Sequence, residues 1–132
     1  MRRATICTIA AVSAAGVGTA VTYASADSGG ATAGAAATTL KLKAAASGAL
    51  RFDKSTLRTS AGKVTIRLKN PSSSGKRHAV EVEGRGIEEE SATISPGKRT
   101  SLTVRLKKGR YEFYCPVDGH KAAGMEGTLI VN

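Results

Sequence analysis

The sequence contains very few cysteine, histidine and methionine residues. Its 132 residues include two of each. Cys7 and Met1 lie in an N-terminal stretch that we expect to be removed, so the remaining chain has one thiol, Cys115. A single thiol cannot form an intramolecular disulfide, although small exported domains often depend on such bonds. The fold must therefore be stabilised without disulfides, and a lone thiol in an oxidising compartment must have some other role.

The N-terminus has the pattern of a secretory signal peptide. Met1–Arg3 is basic, Ala4–Val21 is apolar, and Ala24–Ala26 supplies an A-x-A cleavage pattern. We predict a signal over residues 1–26 and export to the periplasm, the cell surface or the extracellular space. An uncleaved anchor is the alternative, because the apolar stretch is nearly long enough to span a bilayer. No second hydrophobic segment follows, so we predict a mature domain without a transmembrane segment.

The predicted mature chain is small and strongly basic. Residues 27–38 are mostly Gly, Ala, Ser and Thr, which predicts a flexible linker before a single domain over residues 39–132. Without Arg2 and Arg3, the 20 basic residues become 18, which face 10 acidic residues and give a net charge of +8. This excess favours an acidic partner or association with an anionic surface. We predict no nucleic-acid partner, because of export and because the basic residues look scattered along the strands.

No segment shows a convincing helical period, whereas period-two alternation recurs from Thr39 onward. Such segments are typical of half-buried strands, and seven or eight of them predict an all-β sandwich or barrel. The charged residues of Ile87–Ser91 are interpreted as a short turn. The clearest strand patterns are Leu40–Lys43, Val64–Lys69, Val80–Glu83, Leu102–Lys107, Tyr111–Cys115 and the apolar run Thr128–Val131.

Three of the four remaining Cys, His and Met residues lie close together near the C-terminus. Cys115, His120 and Met125 follow the spacing C-x4-H-x4-M, and the fourth, His78, shares the inward parity of Val80. Separately, each has an ordinary structural interpretation, such as a small buried hydrophobe for the cysteine. Together they form a complete mixed nitrogen and sulfur donor set, which is typical of electron-transfer copper sites.

The motif Asn70-Pro71…His78, followed by Tyr114-Cys115-Pro116-x-x-Gly119-His120-x4-Met125, resembles the cupredoxins, the type 1 blue copper proteins of the plastocyanin and azurin group. The spacing is similar to that of the auracyanin, rusticyanin and sulfocyanin branches. The resemblance implies a Greek-key β-sandwich that binds one copper ion cycling between Cu(I) and Cu(II). It also implies a monomer that carries single electrons between extracytoplasmic redox proteins. By position, His78, Cys115 and His120 would be equatorial ligands and Met125 the axial ligand.

Two residues beside the ligands depart from the family pattern. Ala79 stands where an Asn or similar polar residue often follows the first His, which removes a side-chain hydrogen bond between the ligand loops. Pro116 has no N–H to donate to the Cys115 sulfur. We therefore expect the backbone N–H groups of Ala79 and Val117 to serve as the donors to sulfur. These changes would alter the reduction potential rather than abolish copper binding.

Other functions compete with electron transfer as an explanation of the motif. A copper-binding or delivery protein without redox cycling is the main alternative. Nucleophilic catalysis by Cys115 and His120 lacks an evident third, orienting residue, and a second catalytic copper would need more than the two His present. We therefore predict no enzymatic activity.

Charged residues also flank the motif. Lys76, Arg77 and Lys121 could form a basic rim for an acidic partner, with a purely solubilising role as the alternative. Asp118 is interpreted as a solvated loop carboxylate rather than a hydrogen-bond acceptor for His120.

Overall fold

The computed structural model describes residues 36–132, so the predicted signal peptide and most of the predicted linker lie outside the described residues. The described chain forms eight strands and one short 3-10 helix, Ser72–Ser74. No helix in this part of the chain has the length and apolarity that a membrane span requires. The strands are β1 Thr38–Lys43, β2 Thr56–Thr59, β3 Gly62–Lys69, β4 Glu81–Gly84, β5 Ile87–Glu90, β6 Arg99–Leu106, β7 Gly109–Tyr114 and β8 Glu126–Val131.

The strands form two sheets that pack face to face. The small sheet has the order β1-β3-β6, and the large sheet has the order β2-β8-β7-β4-β5. The pairs β1–β3 and β2–β8 are parallel, and the other pairs are antiparallel. Because several neighbours in a sheet are distant in sequence, the chain crosses repeatedly between the sheets and closes the sandwich. The predicted all-β fold of seven to eight strands is confirmed.

Alternation along the strands builds the core between the sheets. In β3, Val64, Ile66 and Leu68 are buried, while the residues between them face outward. Across the sandwich, Phe113 of the large sheet is fully buried, and its ring centroid lies 5.7 Å from that of Phe52. Each such side chain contributes about 1.5–3 kcal/mol when fully buried. Burial of this kind stabilises the domain in the absence of disulfides.

Two strands were not anticipated. Ile87–Glu90, interpreted from sequence as a turn, is strand β5 and pairs with β4. The turn lies just before it, where Arg85 (φ 52°) and Gly86 (φ 82°) both adopt left-handed conformations, as in type I′ hairpins. Three consecutive glutamates hide the period of this exposed edge strand. The other strand, β2, spans only four residues, and its parallel partner β8 lies far along the chain.

The pairing of β4 with β7 brings the two predicted ligand segments together. Glu81 of β4 lies opposite Tyr114 of β7, so the residues just before β4 and just after β7 meet at one end of the sandwich. His78 precedes β4 and is held by two backbone hydrogen bonds with Ile94, of 3.0 and 2.8 Å. Cys115 follows β7 directly.

Candidate metal centre

Three buried side chains converge at this end of the sandwich. The ligand-type atoms of His78, Cys115 and His120 all lie within 4.8 Å of one another. The exposed fraction is 0% for His78 and Cys115 and 9% for His120. Two come from the β7–β8 connection and one from the segment before β4, and the inward positions of His78 and Cys115 agree with the alternation of apolar residues. The structure therefore assembles a cluster from parts of the chain that are 37 residues apart.

The distances fit one metal ion. The Cys115 Sγ lies 3.4 Å from His120 Nδ1 and 3.9 Å from His78 Nδ1, and the two imidazole centroids are 5.1 Å apart. Ligand atoms bonded to one ion at about 2.0–2.3 Å are separated from each other by about 3.4–4 Å. The distances from the Cys115 sulfur to the two Nδ1 atoms are therefore those expected when all three atoms bind the same ion.

Backbone hydrogen bonds fix the loop that carries Cys115, His120 and Met125. The N–H of His120 donates to the Val117 carbonyl, and the N–H of Met125 donates to the His120 carbonyl, both at 3.0 Å. The N–H of Cys115 donates to the Met125 carbonyl, also at 3.0 Å. Met125 is fully buried and is tied by its main chain to both neighbouring residues of the motif. The loop turns at Gly119 (φ 76°) within this bonded frame.

A second set of hydrogen bonds, which the sequence pattern does not reveal, holds the segment before His78. Asn70 is fully buried; its side-chain amide donates to the Lys76 carbonyl at 2.7 Å and to the Ile94 carbonyl at 3.2 Å. Ser74 donates to the Asn70 side-chain oxygen at 2.5 Å. These bonds fix the loop between β3 and β4 and, through Ile94, the backbone of His78. The Asn70-Pro71 turn was the only sequence signal for this network.

Burial and local hydrogen bonds act in opposite directions on the cysteine. Burial raises the pKa of the Cys115 thiol, while hydrogen bonds from the backbone N–H groups of Ala79 and Val117 lower it. These are the two donors expected from the sequence, so that prediction is confirmed. The net result is a raised pKa, so the thiol keeps its proton until a bound cation stabilises the thiolate and the proton passes to solvent.

Both imidazoles are held in the neutral form that binds metals. The pKa of His78 is lowered to about 4, chiefly by burial and further by His120 and Lys76. The pKa of His120 is lowered by burial and by Lys76. In His78, Nδ1 faces the thiol, and among the described residues Nε2 is a buried side-chain atom without a hydrogen-bond partner. An imidazolium there would leave a buried charge unpaired, which further disfavours protonation.

The predicted basic rim is divided by the fold. Lys121 donates to Glu112 at 2.9 Å, approaches Glu83 at 3.9 Å and lies 3.7 Å above the Tyr114 ring. Its charge is therefore balanced on the large sheet. Lys76 donates to the Gly48 carbonyl at 3.0 Å and is close enough to lower the pKa values of both histidines. The positive charge that acts on both histidines thus comes from Lys76, in the segment before β4.

A two-sheet β-sandwich with a buried Cys, His and His cluster at one end defines a class of small soft-metal-binding β-proteins. A family model, the cupredoxin-like domain, matches residues 12–131, and the chain belongs to this family. The resemblance inferred from the sequence motif is thereby confirmed. The donor atoms and the family together are consistent with one bound copper ion.

Several solved structures have a fold similar to that of this chain. Auracyanin B is 25% identical, with a TM-score of 0.66 over 73% of this chain and 89% of that one. Auracyanin A, a "blue" copper protein from the green thermophilic photosynthetic bacterium Chloroflexus aurantiacus, is 26% identical. Its TM-score is 0.61 over 73% of this chain and 99% of the auracyanin chain. A copper nitrite reductase from Nitrosomonas europaea, at 24% identity and a TM-score of 0.61, shares the fold over 73% of this chain and 41% of its own. No curated protein sequence matches the chain.

Proposed function

We propose that this protein is a mononuclear type 1 copper protein that carries single electrons between extracytoplasmic redox partners. His78, Cys115 and His120 would be the equatorial ligands, and Met125 the axial ligand. The observation that carries the proposal is the convergence of one thiol and two imidazole nitrogens within 4.8 Å in a cupredoxin-like sandwich. The description of auracyanin A as a blue copper protein supports the choice of metal.

Prepositioned ligands favour electron transfer over simple metal storage. The Cys115–Met125 and Met125–His120 backbone bonds, together with the Asn70 network, hold the ligand segments in place. A copper ion at this site would supply the redox couple, and mixed nitrogen and sulfur donors bind both of its oxidation states. Little ligand movement would accompany the change of charge. His120 has the largest exposed fraction of the three clustered ligands, so its ring edge is the expected path to a partner.

An enzymatic role is not part of the proposal. The whole sequence contains two His, and both belong to this one cluster, so neither is free to bind a second copper. The nitrite reductase neighbour supports a common fold alone. Nucleophilic catalysis by Cys115 would need a group that orients His120, and nearby Asp118 is solvent-exposed.

Export and a monomeric state belong to the same proposal. Export is supported by the signal-like pattern of residues 1–26, which lies outside the described residues. An extracytoplasmic location would place the single thiol of the domain in an oxidising compartment, where a bound metal would protect it from unwanted oxidation.

The test is a copper titration of the metal-free protein followed by redox cycling. Copper(II) should produce an intense visible thiolate-to-copper band at one equivalent, which a mild reductant bleaches and an oxidant restores. Zinc(II), which is redox-inactive, should compete for the site without colour. A protein that binds only copper(I) and stays colourless would contradict the electron-transfer proposal and favour the alternative of copper delivery.

A further inference from the structure

Part of the basic charge of this protein is gathered on one face. The strands of the small sheet carry seven Lys and Arg residues and no Asp or Glu. All seven are exposed and alternate with the buried core positions, so they project from the same outer surface. We call this surface the basic face; its cations are Lys41, Lys43, Lys63, Arg67, Lys69, Arg99 and Arg105. The basic residues of these three strands are therefore not scattered, as the sequence suggested, but share one surface.

Strand register places these like charges directly beside each other. Lys69 of β3 lies opposite both Lys43 of β1 and Arg99 of β6, which forms a row of three cations across the sheet. Lys41 likewise lies opposite Arg67. Adjacent strands are about 4.8 Å apart, and like charges directly opposite one another destabilise a sheet. None of the seven side chains pairs with a carboxylate of residues 36–132. The positive charges of this sheet are therefore uncompensated, and their mutual repulsion lowers the stability of the fold.

The opposite side of the sandwich has the opposite charge. The five strands of the large sheet carry seven acidic residues and two basic ones, Arg58 and Arg110. On its outer surface, Glu83 lies opposite Glu112. The outer surface of the small sheet is therefore positively charged and that of the large sheet is negatively charged. A negatively charged plane would attract the small sheet and repel the large sheet, and this fixes the orientation of the protein.

We propose that the basic face docks on a membrane surface rich in anionic phospholipid. Its remaining outward side chains are small and polar, as shown by Thr65 and Thr103, whose hydroxyls are 2.9 Å apart. Protein interfaces depend on buried aromatic and apolar anchors, and single-stranded nucleic acid is bound by stacking on aromatic rings. The basic face offers neither. A broad polar surface of unpaired cations matches phosphate headgroups, which attract each Lys or Arg additively without insertion.

A shallow groove on this face strengthens the match. It is lined by Lys41, Lys43, Arg67, Lys69 and Arg99 among other residues. Asp53 is the acidic residue in the lining of this groove. Its carboxylate accepts hydrogen bonds from the Lys43 backbone N–H and the Lys54 side chain, both at 2.8 Å, so its charge is already paired.

Docking through this face would leave the metal centre free. His78, Cys115 and His120 lie in the connections at one end of the sandwich, between the two outer surfaces. A membrane-bound molecule could therefore still present the His120 edge to a redox partner. The docking proposal does not depend on copper, so it holds or fails separately from the proposed function.

The experiment is vesicle sedimentation with the full chain, using phosphatidylcholine vesicles with and without phosphatidylglycerol. Binding to the anionic vesicles should exceed binding to the neutral vesicles and should disappear as the Debye length falls from about 30 Å in low salt to about 3 Å near 1 M salt. The neutral vesicles measure any contribution from the apolar N-terminal segment. Equal binding to both vesicle types would overturn the proposal.

Two variants of equal charge locate the contact. The face variant, Lys43→Gln, Lys69→Gln and Arg99→Gln, should lower partitioning onto anionic vesicles by about a hundredfold. Thermal unfolding of the variant confirms that it is folded; if it is not, Lys69→Gln alone should lower partitioning by about fivefold.

The control variant, Arg58→Gln, Lys108→Gln and Arg110→Gln, removes the same charge outside the basic face. Its partitioning onto anionic vesicles should fall by less than about tenfold, because only the net charge has changed. Equal losses in the two variants would show that no particular face is used. Equally tight binding of soluble polyglutamate would indicate an acidic protein partner. Self-association at low salt without lipid, if the face variant abolishes it, would indicate that the face binds a second copy of the chain. Either of these two results would overturn membrane docking.

Discussion

Individual residues at the candidate metal centre are held in their uncharged forms. The Cys115 thiol is raised in pKa by burial and lowered by two backbone donors, while both imidazoles are kept neutral. A cation placed among these atoms would displace the thiol proton and meet two unprotonated nitrogens. Copper binding is therefore expected to release about one proton near neutral pH, rather than several.

Replacement of the thiol tests the ligand assignment. Cys115→Ala removes the proposed thiolate donor, so copper(II) should give no intense visible band. Met125→Leu is the matched control, because it replaces a buried side chain of the same loop with one of similar size. It should keep the band and raise the reduction potential, because copper(II) loses a weak donor. Visible spectra and voltammetry measure both outcomes; a coloured Cys115→Ala protein would refute the assignment.

The depressed pKa of His78 predicts a pH-dependent stability of the copper-free protein. Its pKa is about 4 in the folded state against an ordinary value of 6.5, so unfolding takes up a proton between these values. The free energy of unfolding should be fully maintained above pH 6.5, fall as the pH drops toward 4, and lose about 3 kcal/mol from this group. Urea titrations across this range measure the slope. His78→Gln should flatten the slope, and an unchanged slope would contradict the assignment.

At the scale of elements, the β7–β8 hairpin connects the hydrophobic core to the candidate metal site. Phe113 of β7 lies opposite Gly127 of β8, just before Cys115 in the chain. A Cβ at Gly127 would collide with the Phe113 ring and would lie 2.6 Å from the Ser55 carbonyl oxygen. The missing side chain at this position therefore lets the aromatic ring fill the core directly beneath the ligand loop.

Gly127→Ala should consequently destabilise the domain. The added methyl group must displace the fully buried Phe113 ring or the backbone of Ser55, and overpacking of this kind costs about 1–3 kcal/mol. Denaturant unfolding of the copper-free protein measures the loss. Thr128→Ala, one residue further along β8, is the control and should cost less than about 1 kcal/mol. A stability unchanged by Gly127→Ala would show that the close approach is not present.

The like-charge row of the small sheet predicts the opposite effect for a surface substitution. Lys69→Thr removes repulsion from both Lys43 and Arg99 and introduces a residue with good strand propensity, so unfolding should cost about 0.2–1 kcal/mol more. The gain should shrink as salt is added. Arg58→Thr is the matched control, since its partner in β8 is the uncharged Ile130. Equal effects of the two substitutions would mean that cross-strand repulsion is not the cause.

At the scale of the whole molecule, charge is separated between the two faces while the metal centre lies at the end between them. Near the centre, Lys76 acts on both histidines, whereas Lys121 is balanced by Glu112 and Glu83. Net charge alone would treat these two lysines as equivalent. Their surroundings make them different, and electron-transfer rates with a charged reagent should reveal it.

Oxidation of the reduced copper protein by the anionic reagent hexacyanoferrate(III) provides the measurement. The rate constant should fall with ionic strength, because the approach to the His120 edge passes a positive charge. Lys76→Gln should lower the low-salt rate by about twofold to tenfold. Replacing the whole ion pair at Lys121, with Lys121→Gln and Glu112→Gln together, should change it less, because the pair carries no net charge. A larger effect at Lys121 would place the approach over the large sheet instead.

Period-two alternation located six of the eight strands because half-buried strands show their inner face in the sequence. It missed β5, whose three glutamates at an exposed edge have no buried face to alternate with, and β2, which is only four residues long. The convergence of Cys115 and His78 was predictable for the same reason, since both have inward parity. The Asn70 and Ser74 hydrogen bonds were not, because their partners are main-chain carbonyls that sequence does not mark.

The sequence by itself determined the all-β class, the inward orientation of His78 and Cys115 and the spacing within the C-terminal loop. These depend on local alternation and on neighbours along the chain. Only the tertiary structure decided that β1, β3 and β6 lie side by side and thereby collect seven basic residues on one surface. Strand adjacency is a long-range property, set by the crossovers between sheets. The same basic residues that look scattered along the chain therefore form a single face in the folded molecule.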